Sequence, residues 1–154
     1  MATDYLKLFP AKHISFSVEA GSKPKIIEAL VDLAIKGSGL DDADRSKVLK
    51  AVLKRENAGS TGVGGVAIPH VKTAQVPGPV AAIAVFKDGV EFDAIDGEPV
   101  YSIFLTLSPE ADVEEHVSTL RWIAGVARKP DYTKFVRQTS SAKEVRSLLE
   151  EMSA

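Results

Sequence analysis

Histidine supplies the reactive side chains of this 154-residue sequence, which holds His13, His70 and His116 and no cysteine. The lack of cysteine excludes a thiolate nucleophile, a disulfide scaffold and a cysteine-based metal site, and it fits a reducing compartment. No two histidines have the short spacing of a zinc motif, so no metal site is predicted. The candidate chemistry is nucleophilic attack by an imidazole, which is largely neutral near pH 7 and then carries a free lone pair.

His70 directly follows Pro69 and comes shortly after a glycine-rich loop, Gly59-Ser-Thr-Gly-Val-Gly-Gly65. Glycine permits positive φ angles, so successive backbone N–H groups of such a loop can point inward and bind an anion. Arg55 lies just upstream, and its guanidinium group suits a bidentate contact with phosphate. A nucleophilic imidazole beside a phosphate-binding loop is what phosphoryl transfer to histidine requires. The candidate phosphate-binding residues of the loop are Ser60, Thr61, Gly62 and Gly64.

The residues alone leave a second interpretation of His70 open, namely a polar surface histidine beside an ordinary turn. The loop is not a Walker motif, because no Gly-Lys-Ser/Thr follows it, and its glycine spacing differs from that of a dinucleotide fingerprint. His116 lies three residues after Val113 and four before Leu120, so its spacing favours a partly buried histidine with a hydrogen-bond partner. His13 is interpreted as part of a lead-in segment.

The elements that must position these residues follow from hydrophobic periodicity and from capping and turn residues. The first half predicts an extended segment at 13–18, a helix from Ser22 to Gly37, a second helix from Asp41 to Asn57 and a short apolar run at 66–68. In the second half, the pattern predicts a strand at 80–86, a hairpin turn at Asp88-Gly89, a return strand from Val90 and a strand at 100–107. It then predicts helices at 113–127, at 131–137 and after the capping box of Ser141 and Glu144.

Helices followed by strands and again by helices predict an α/β (α+β) fold, a single domain in which a mixed β-sheet is flanked by helices. We expect it to cover residues 1–154, with a core of about residues 14–152. The net charge of −2 predicts no nucleic-acid partner. The longest apolar stretch, residues 76–86, falls far short of the roughly 20 residues of a membrane span. With no signal-peptide pattern at its start, the chain is expected to be cytoplasmic, without membrane insertion.

The segment from Arg55 to His70, Arg-Glu-Asn-Ala-Gly-Ser-Thr-Gly-Val-Gly-Gly-Val-Ala-Ile-Pro-His, resembles a known active-site signature. It is that of the fructose/mannitol-type (type 2) IIA domains of the bacterial phosphoenolpyruvate:sugar phosphotransferase system, which include the nitrogen-regulatory IIA proteins. Two further segments, Asp96-Gly-Glu-Pro-Val-Tyr-Ser-Ile-Phe-Leu-Thr-Leu and His116-Val-Ser-Thr-Leu-Arg-Trp-Ile-Ala, are similar to the strand and the helix around the second histidine of that family. The resemblance covers roughly residues 14–149.

The resemblance implies the phosphotransferase IIA type 2 fold, with His70 as the phosphorylated residue. The donor would be the phosphocarrier HPr or a paralogue of it, and the phosphoryl group would pass in line between two imidazoles. His116 would lie beside His70 and orient it or contact the phosphate. Arg55, Ser60 and Thr61 match the anion-binding segment of the family. No cofactor and no metal are implied.

The sequence also departs from the family. The loop before His70 is one residue shorter than the common form, and Val71 stands where many members have a small residue, while Lys72 keeps a basic charge.

The sequence leaves two roles open for the phosphoryl group once it is on His70. A regulatory IIA would use the phosphate on His70 to change its binding to a protein target. A transport IIA would pass it to a IIB partner for uptake of a sugar such as fructose or mannitol. The sequence given has no fused IIB or IIC segment, which favours the regulatory role. A IIA-like module that binds partners without phosphorylation is the third interpretation.

Overall fold

Five strands form one mixed sheet at the centre of the computed structural model, which describes residues 4–153. They are β1 (Ile14–Ser15), β2 (Val66–Ala67), β3 (His70–Thr73), β4 (Val80–Val90) and β5 (Val100–Pro109). β4 and β5 pair antiparallel, β1 pairs with β4 in parallel, and β2 and β3 both pair with β5 in parallel. The long apolar runs of β4 and β5 fit their central position in the sheet, because helices cover both faces.

Helices pack on the two faces of this sheet: α1 (Lys23–Ala34), α2 (Asp42–Ala58), α3 (Val113–Ala127), α4 (Tyr132–Val136) and α5 (Ala142–Met152). Successive strand residues point to opposite faces. Accordingly, Ala82 and Leu105 pack with α1 and α2, whereas Ile83 and Phe104 pack with α3, α4 and α5. The predicted class, a mixed sheet flanked by helices, is therefore confirmed. Within residues 4–153 no helix is long and apolar enough to cross a membrane.

The predicted helix starts agree with the structure. Ser22 and Asp41 are the N-cap residues of α1 and α2, and the carboxylate of Asp41 accepts the N–H of Asp44 at 2.8 Å. The hydroxyl of Ser141 accepts the N–H of Glu144 at 3.2 Å at the start of α5. The caps of Asp41 and Ser141 satisfy backbone donors that have no partner inside the helix, whereas the side chain of Ser22 makes no cap bond. Because caps act within a few residues, they are visible in the sequence.

The predicted hairpin at Asp88-Gly89 and the predicted return strand from Val90 are both wrong. β4 continues through both residues to Val90, which pairs with Val100 after a shift in register, and the chain reverses over residues 91–99. Gly89 has a φ of +80°, and a Cβ there would lie 2.8 Å from Cε1 of Tyr101. Glycine is therefore required at this position by a strand irregularity and a close contact, rather than by a two-residue turn.

The extended segment predicted at 13–18 is reduced to Ile14–Ser15, which pairs with β4. His13 instead ends a short 3-10 helix, Ala11–His13, and is buried. Its Nδ1 lies 3.0 Å from the carbonyl oxygen of Ala81. His13 is thus a buried link between the N-terminal segment and β4, more enclosed than a lead-in residue.

Candidate functional site

His70 is the first residue of β3, and the backbone on both sides of it is fixed by the sheet. β2 ends at Ala67 and β3 begins at His70, so only Ile68 and Pro69 separate two strands that pair with β5. His70 pairs with Thr106, whose N–H donates to the carbonyl of Pro69 at 3.0 Å. The imidazole is therefore carried by a strand rather than by a free loop.

The ring of His70 has one nitrogen engaged inside the protein. Nδ1 lies 2.7 Å from the carbonyl oxygen of Ile68. A carbonyl can only accept, so Nδ1 carries the proton and Nε2 keeps its lone pair. Burial lowers the pKa of His70, and the charge of Arg55 acts in the same direction, against the Ile68 carbonyl and Glu56, which raise it. The neutral form, which is the nucleophilic one, is thus favoured near pH 7.

His116 lies beside His70, with the two ring centroids 5.5 Å apart. It belongs to the first turns of α3 and is only 5% exposed. Its Nδ1 lies 2.8 Å from the hydroxyl of Ser108 on β5, which is the hydrogen-bond partner expected from its helical spacing. Burial, then the proximity of His70 and Lys72, lowers the pKa of His116 to about 4. A neutral His116 is therefore present throughout the physiological range.

Arg55 lies in the last turn of α2, on the same side of the molecule as the imidazoles. Its guanidinium donates to the carbonyl of Gly59 at 3.2 Å, which holds the side chain against the start of the loop. Its positive charge contributes to the lowered pKa of His70. The structure therefore brings together His70, His116 and Arg55 from β3, α3 and α2.

The sequence predicts that N–H groups of the glycine-rich loop point inward and are free to bind an anion, but in the structure three of them are hydrogen-bonded within the protein. The N–H of Thr61 donates to the carboxylate of Glu56, that of Gly62 to the hydroxyl of Ser60, and that of Gly64 to the carboxylate of Asp96, at 3.0, 3.1 and 2.9 Å. These donors are already paired within the protein, and the hydroxyl of Thr61 donates to Glu56. Anion binding by the loop therefore remains a prediction that rests on the hydroxyl of Ser60.

Glu56 organises the loop, a role that the sequence reasoning missed. Its side chain is 1% exposed and forms an ion pair of 2.8 Å with Lys23 of α1. It also accepts the hydroxyl of Thr61 at 2.7 Å. In the sequence Glu56 was only the end of a helix. The signal that indicates this role is its place beside Arg55 and shortly before Ser60 and Thr61, a pattern in which a carboxylate accepts hydrogen bonds from the following loop.

Exposed apolar side chains lie on the helix that carries His116 and on the segment bonded to the glycine-rich loop. Val113 and Val117 of α3 are 49% and 40% exposed and flank His116 in the helix. Ile95 is 73% exposed, and its N–H donates at 2.8 Å to the carbonyl of Gly62 in the loop. Large exposed apolar groups near a reactive side chain are typical of a surface that docks a protein. We call these three residues the apolar rim.

Among residues 4–153, no three or more His, Cys, Asp and Glu side chains are grouped in a way that could hold a metal ion. The chemistry available at the site is that of two neutral imidazoles and a guanidinium group. This set can attack phosphorus and stabilise the charge on phosphoryl oxygens.

The comparison with protein families supplies the class of protein. Residues 7–152 match the family described as the phosphoenolpyruvate-dependent sugar phosphotransferase system, EIIA 2. The chain therefore belongs to this family of IIA domains, as its resemblance predicted.

Relatives of this chain include both transport and regulatory proteins. The fructose-specific EIIA component of the phosphotransferase system from Haloferax volcanii is 34% identical over 151 residues, which are 97% of each chain. A nitrogen regulatory protein from Pseudomonas aeruginosa is 35% identical over 127 residues, or 82% of this chain and 81% of the relative. The crystal structure of nitrogen regulatory protein IIA-Ntr from Neisseria meningitidis has a TM-score of 0.83 and 36% identity, covering 93% of this chain and 97% of that one.

Proposed function

We propose that this chain is a phosphocarrier that accepts a phosphoryl group on Nε2 of His70 from phospho-HPr or a paralogue of HPr. The observation that carries the proposal is the 2.7 Å contact between Nδ1 of His70 and the Ile68 carbonyl, which leaves the lone pair on Nε2. The family of the chain supports the phosphotransferase part of the proposal. No metal or organic cofactor takes part in it.

The transfer step is an in-line displacement between two imidazoles. The lone pair of His70 Nε2 forms the new N–P bond while the N–P bond of the donor phosphohistidine breaks and its electron pair returns to the donor ring. No proton has to leave Nε2, and the positive charge that develops on the His70 ring is stabilised through the Nδ1–H bond to Ile68. The transition state of such a step is loose, so positioning and charge stabilisation supply most of the catalysis.

We assign stabilisation of the negative charge on the phosphoryl oxygens to Arg55 and His116. Arg55 offers guanidinium donors close enough for its charge to lower the pKa of His70. When Ser108 donates its hydroxyl proton to Nδ1 of His116, the proton of the neutral ring lies on Nε2, where it can donate to a phosphoryl oxygen. Ser60 is proposed to donate its hydroxyl to the phosphate. Thr61, whose hydroxyl donates to Glu56, is proposed with Gly62 and Gly64 to shape the loop around the phosphate.

The apolar rim suits the docking of a small carrier protein. A donor phosphohistidine must come within bonding distance of His70, so both proteins need surfaces that meet around the two rings. Val113 and Val117 lie on the His116 side and Ile95 on the loop side. Their exposure in the free protein therefore supports transfer between proteins rather than to a free small molecule. A cytoplasmic location follows, as the place where such a carrier would act.

For the acceptor we propose a regulatory role, in which phosphate on His70 changes the affinity for a protein target. Its support is the similarity to nitrogen regulatory proteins, at 35% and 36% identity. A second candidate, transfer to a IIB partner in sugar uptake, is supported by the fructose-specific EIIA component that matches over 97% of both chains. Phosphate adds negative charge and acceptor oxygens inside the apolar rim, which can switch binding in either role.

Intact-mass spectrometry at neutral to alkaline pH tests the phosphocarrier proposal. The protein and its His70→Ala variant would be incubated with phosphoenolpyruvate, enzyme I and HPr. We expect one added phosphate on the wild type and none on the variant, because the variant lacks the attacking nitrogen. A wild type that stays unmodified, or a variant phosphorylated at the same rate, contradicts the assignment and favours a module that binds without phosphorylation.

The phosphorylated protein then separates the two roles. It would be mixed with purified IIB domains from the same genome, each with its phosphoryl-accepting cysteine and, as a control, with that cysteine changed to serine. Loss of the phosphate from this chain together with its gain by an intact IIB domain favours transport. Retention of the phosphate with every IIB domain favours regulation.

A further inference from the structure

We propose that Glu56, held by Lys23, is a positioning residue that orients the nucleophilic ring of His70 through Thr61 and Ile68. This inference rests on the proposed phosphocarrier function, and it adds two residues that never need to touch the phosphoryl group.

A continuous set of contacts joins the buried carboxylate to the imidazole. Nζ of Lys23 lies 2.8 Å from Oε2 of Glu56. Glu56 accepts the N–H and the hydroxyl of Thr61, at 3.0 and 2.7 Å. The hydroxyl of Thr61 accepts the N–H of Ile68 at 3.1 Å, and the carbonyl of Ile68 accepts Nδ1–H of His70 at 2.7 Å.

The direction of each bond in this set is fixed by chemistry. The carboxylate of Glu56 can only accept, so the single hydroxyl proton of Thr61 points toward it. The remaining lone pairs of that oxygen are then available to the N–H of Ile68. Ile68 is thereby held at its amide by Thr61 and at its carbonyl by the ring of His70. A reversal at any step leaves a buried polar group without a partner, which is costly.

The burial of Glu56 gives this arrangement its rigidity. A carboxylate that is 1% exposed is stable only with a charge partner and well-aligned donors, and Lys23 and Thr61 supply both. Lys23 is held in turn, because its ammonium group lies 4.8 Å from the centre of the Phe92 ring. The loop is thus tied to α1, to α2 and to the segment that joins β4 to β5.

Lys23 has a second effect on the reaction. The negative charge of Glu56 raises the pKa of His70, against the larger lowering by burial and the additional lowering by Arg55. Without a counter-charge, this carboxylate would also repel an incoming phosphoryl group. The ion pair with Lys23 offsets that repulsion while leaving the hydrogen bonds to Thr61 in place.

The test combines a tautomer measurement with kinetics of transfer from phospho-HPr. Thr61→Val removes the hydroxyl at nearly constant size, Thr61→Ser restores it, and Glu56→Gln keeps an acceptor oxygen but loses the charge. Glu28→Gln is the matched control, because it removes one carboxylate from the exposed side of α1. The 15N shifts of His70 report which ring nitrogen carries the proton.

We expect the wild type, Thr61→Ser and Glu28→Gln to keep the proton on Nδ1. Thr61→Val should populate the other tautomer and lower kcat by about 10- to 100-fold, with the KM for phospho-HPr nearly unchanged, because a small misplacement of the ring costs this much. Glu56→Gln should lower the pKa of His70 relative to Glu28→Gln, since it removes the charge that raises this pKa.

The inference is overturned if folded Thr61→Val keeps the wild-type tautomer, or if it keeps the wild-type kcat while His70→Ala blocks transfer. If Glu56→Gln fails to fold, Thr61→Val and Thr61→Ser carry the test alone. If the wild type accepts no phosphate, the phosphocarrier function fails. The tautomer spectra then still decide the positioning: loss of Nδ1–H in Thr61→Val supports it, and an unchanged spectrum refutes it.

Discussion

The two imidazoles of the site are held by different parts of the molecule. His70 is anchored by a backbone carbonyl two residues away, in the short link between β2 and β3. His116 is anchored by a side-chain hydroxyl, that of Ser108, which belongs to another element. Burial lowers the pKa of both rings, and that of His116 to about 4. The carbonyl contact leaves the lone pair of His70 on Nε2, because a carbonyl can only accept. The hydroxyl of Ser108 can donate as well as accept, and when it donates to Nδ1 of His116 the proton of that ring lies on Nε2.

Replacement of His116 by alanine tests this division of roles most strongly. His116→Ala should slow phosphorylation of His70 by roughly 100-fold, as expected when one preorganised donor to the transition state is removed. The final mass should still show one added phosphate, because the acceptor is intact. Stopped-flow or quenched kinetics with phospho-HPr give the rate. An unchanged rate would leave His116 with only the packing role that its helical spacing indicates.

The pH dependence of the free energy of unfolding tests how strongly the fold keeps the ring of His116 neutral, compared with that of His70. Both pKa values are lowered in the folded protein, so the unfolded chain binds more protons once the pH falls below about 6.5. The free energy of unfolding should therefore fall between about pH 6.5 and 4, at a slope of up to roughly 1.4 kcal/mol per pH unit from His116.

Urea unfolding at a series of pH values measures this effect. The profile of His116→Gln should be flatter than that of the wild type over this interval. A profile with the same slope in the variant would show that the ring of His116 is not kept neutral by the fold.

The smallest expected effect comes from removal of the Ser108 hydroxyl, which is hydrogen-bonded to His116. Ser108→Ala should slow transfer a few-fold, because the ring loses the partner that fixes its orientation, and should cost about 1 kcal/mol of stability. Ser102→Ala is the matched control, since Ser102 lies on the same strand, is equally buried and bonds the hydroxyl of Tyr132 at 3.0 Å. Equal losses of transfer rate in the two variants would contradict a specific role for Ser108.

Much of the fold was predictable because its signals are local. Caps such as Asp41 and Ser141 act within one helical turn, and the apolar runs of β4 and β5 mark central strands. The conformation of Asp88-Gly89 was not predictable, because the same dipeptide occurs in hairpin turns and in strand irregularities such as the one found here. The choice depends on Tyr101, which packs against Gly89 and reaches it only after the chain has reversed.

The main residues of the candidate site were predictable from the sequence, whereas the hydrogen bonds that hold them in place were not. His70 stands out from its position after the glycine-rich loop, while its proximity to His116 followed from a family resemblance and not from spacing. The bond from Glu56 to Thr61 spans five residues, yet its importance depends on burial under α1, which no local pattern reveals. The paired N–H groups of the loop depend in the same way on Asp96, from a distant segment.

Strand β5 determines the separation of the two rings. His70 pairs with Thr106, and His116 is bonded to Ser108, two positions further along the same strand. Two residues of a strand span roughly 7 Å, comparable to the 5.5 Å between the ring centroids. The connection at residues 74–79 takes no part in this spacing. It can therefore change in length while the distance between donor and nucleophile stays constant, whereas residues 91–99 cannot be exchanged as freely, because Ile95 and Asp96 hold the loop before His70.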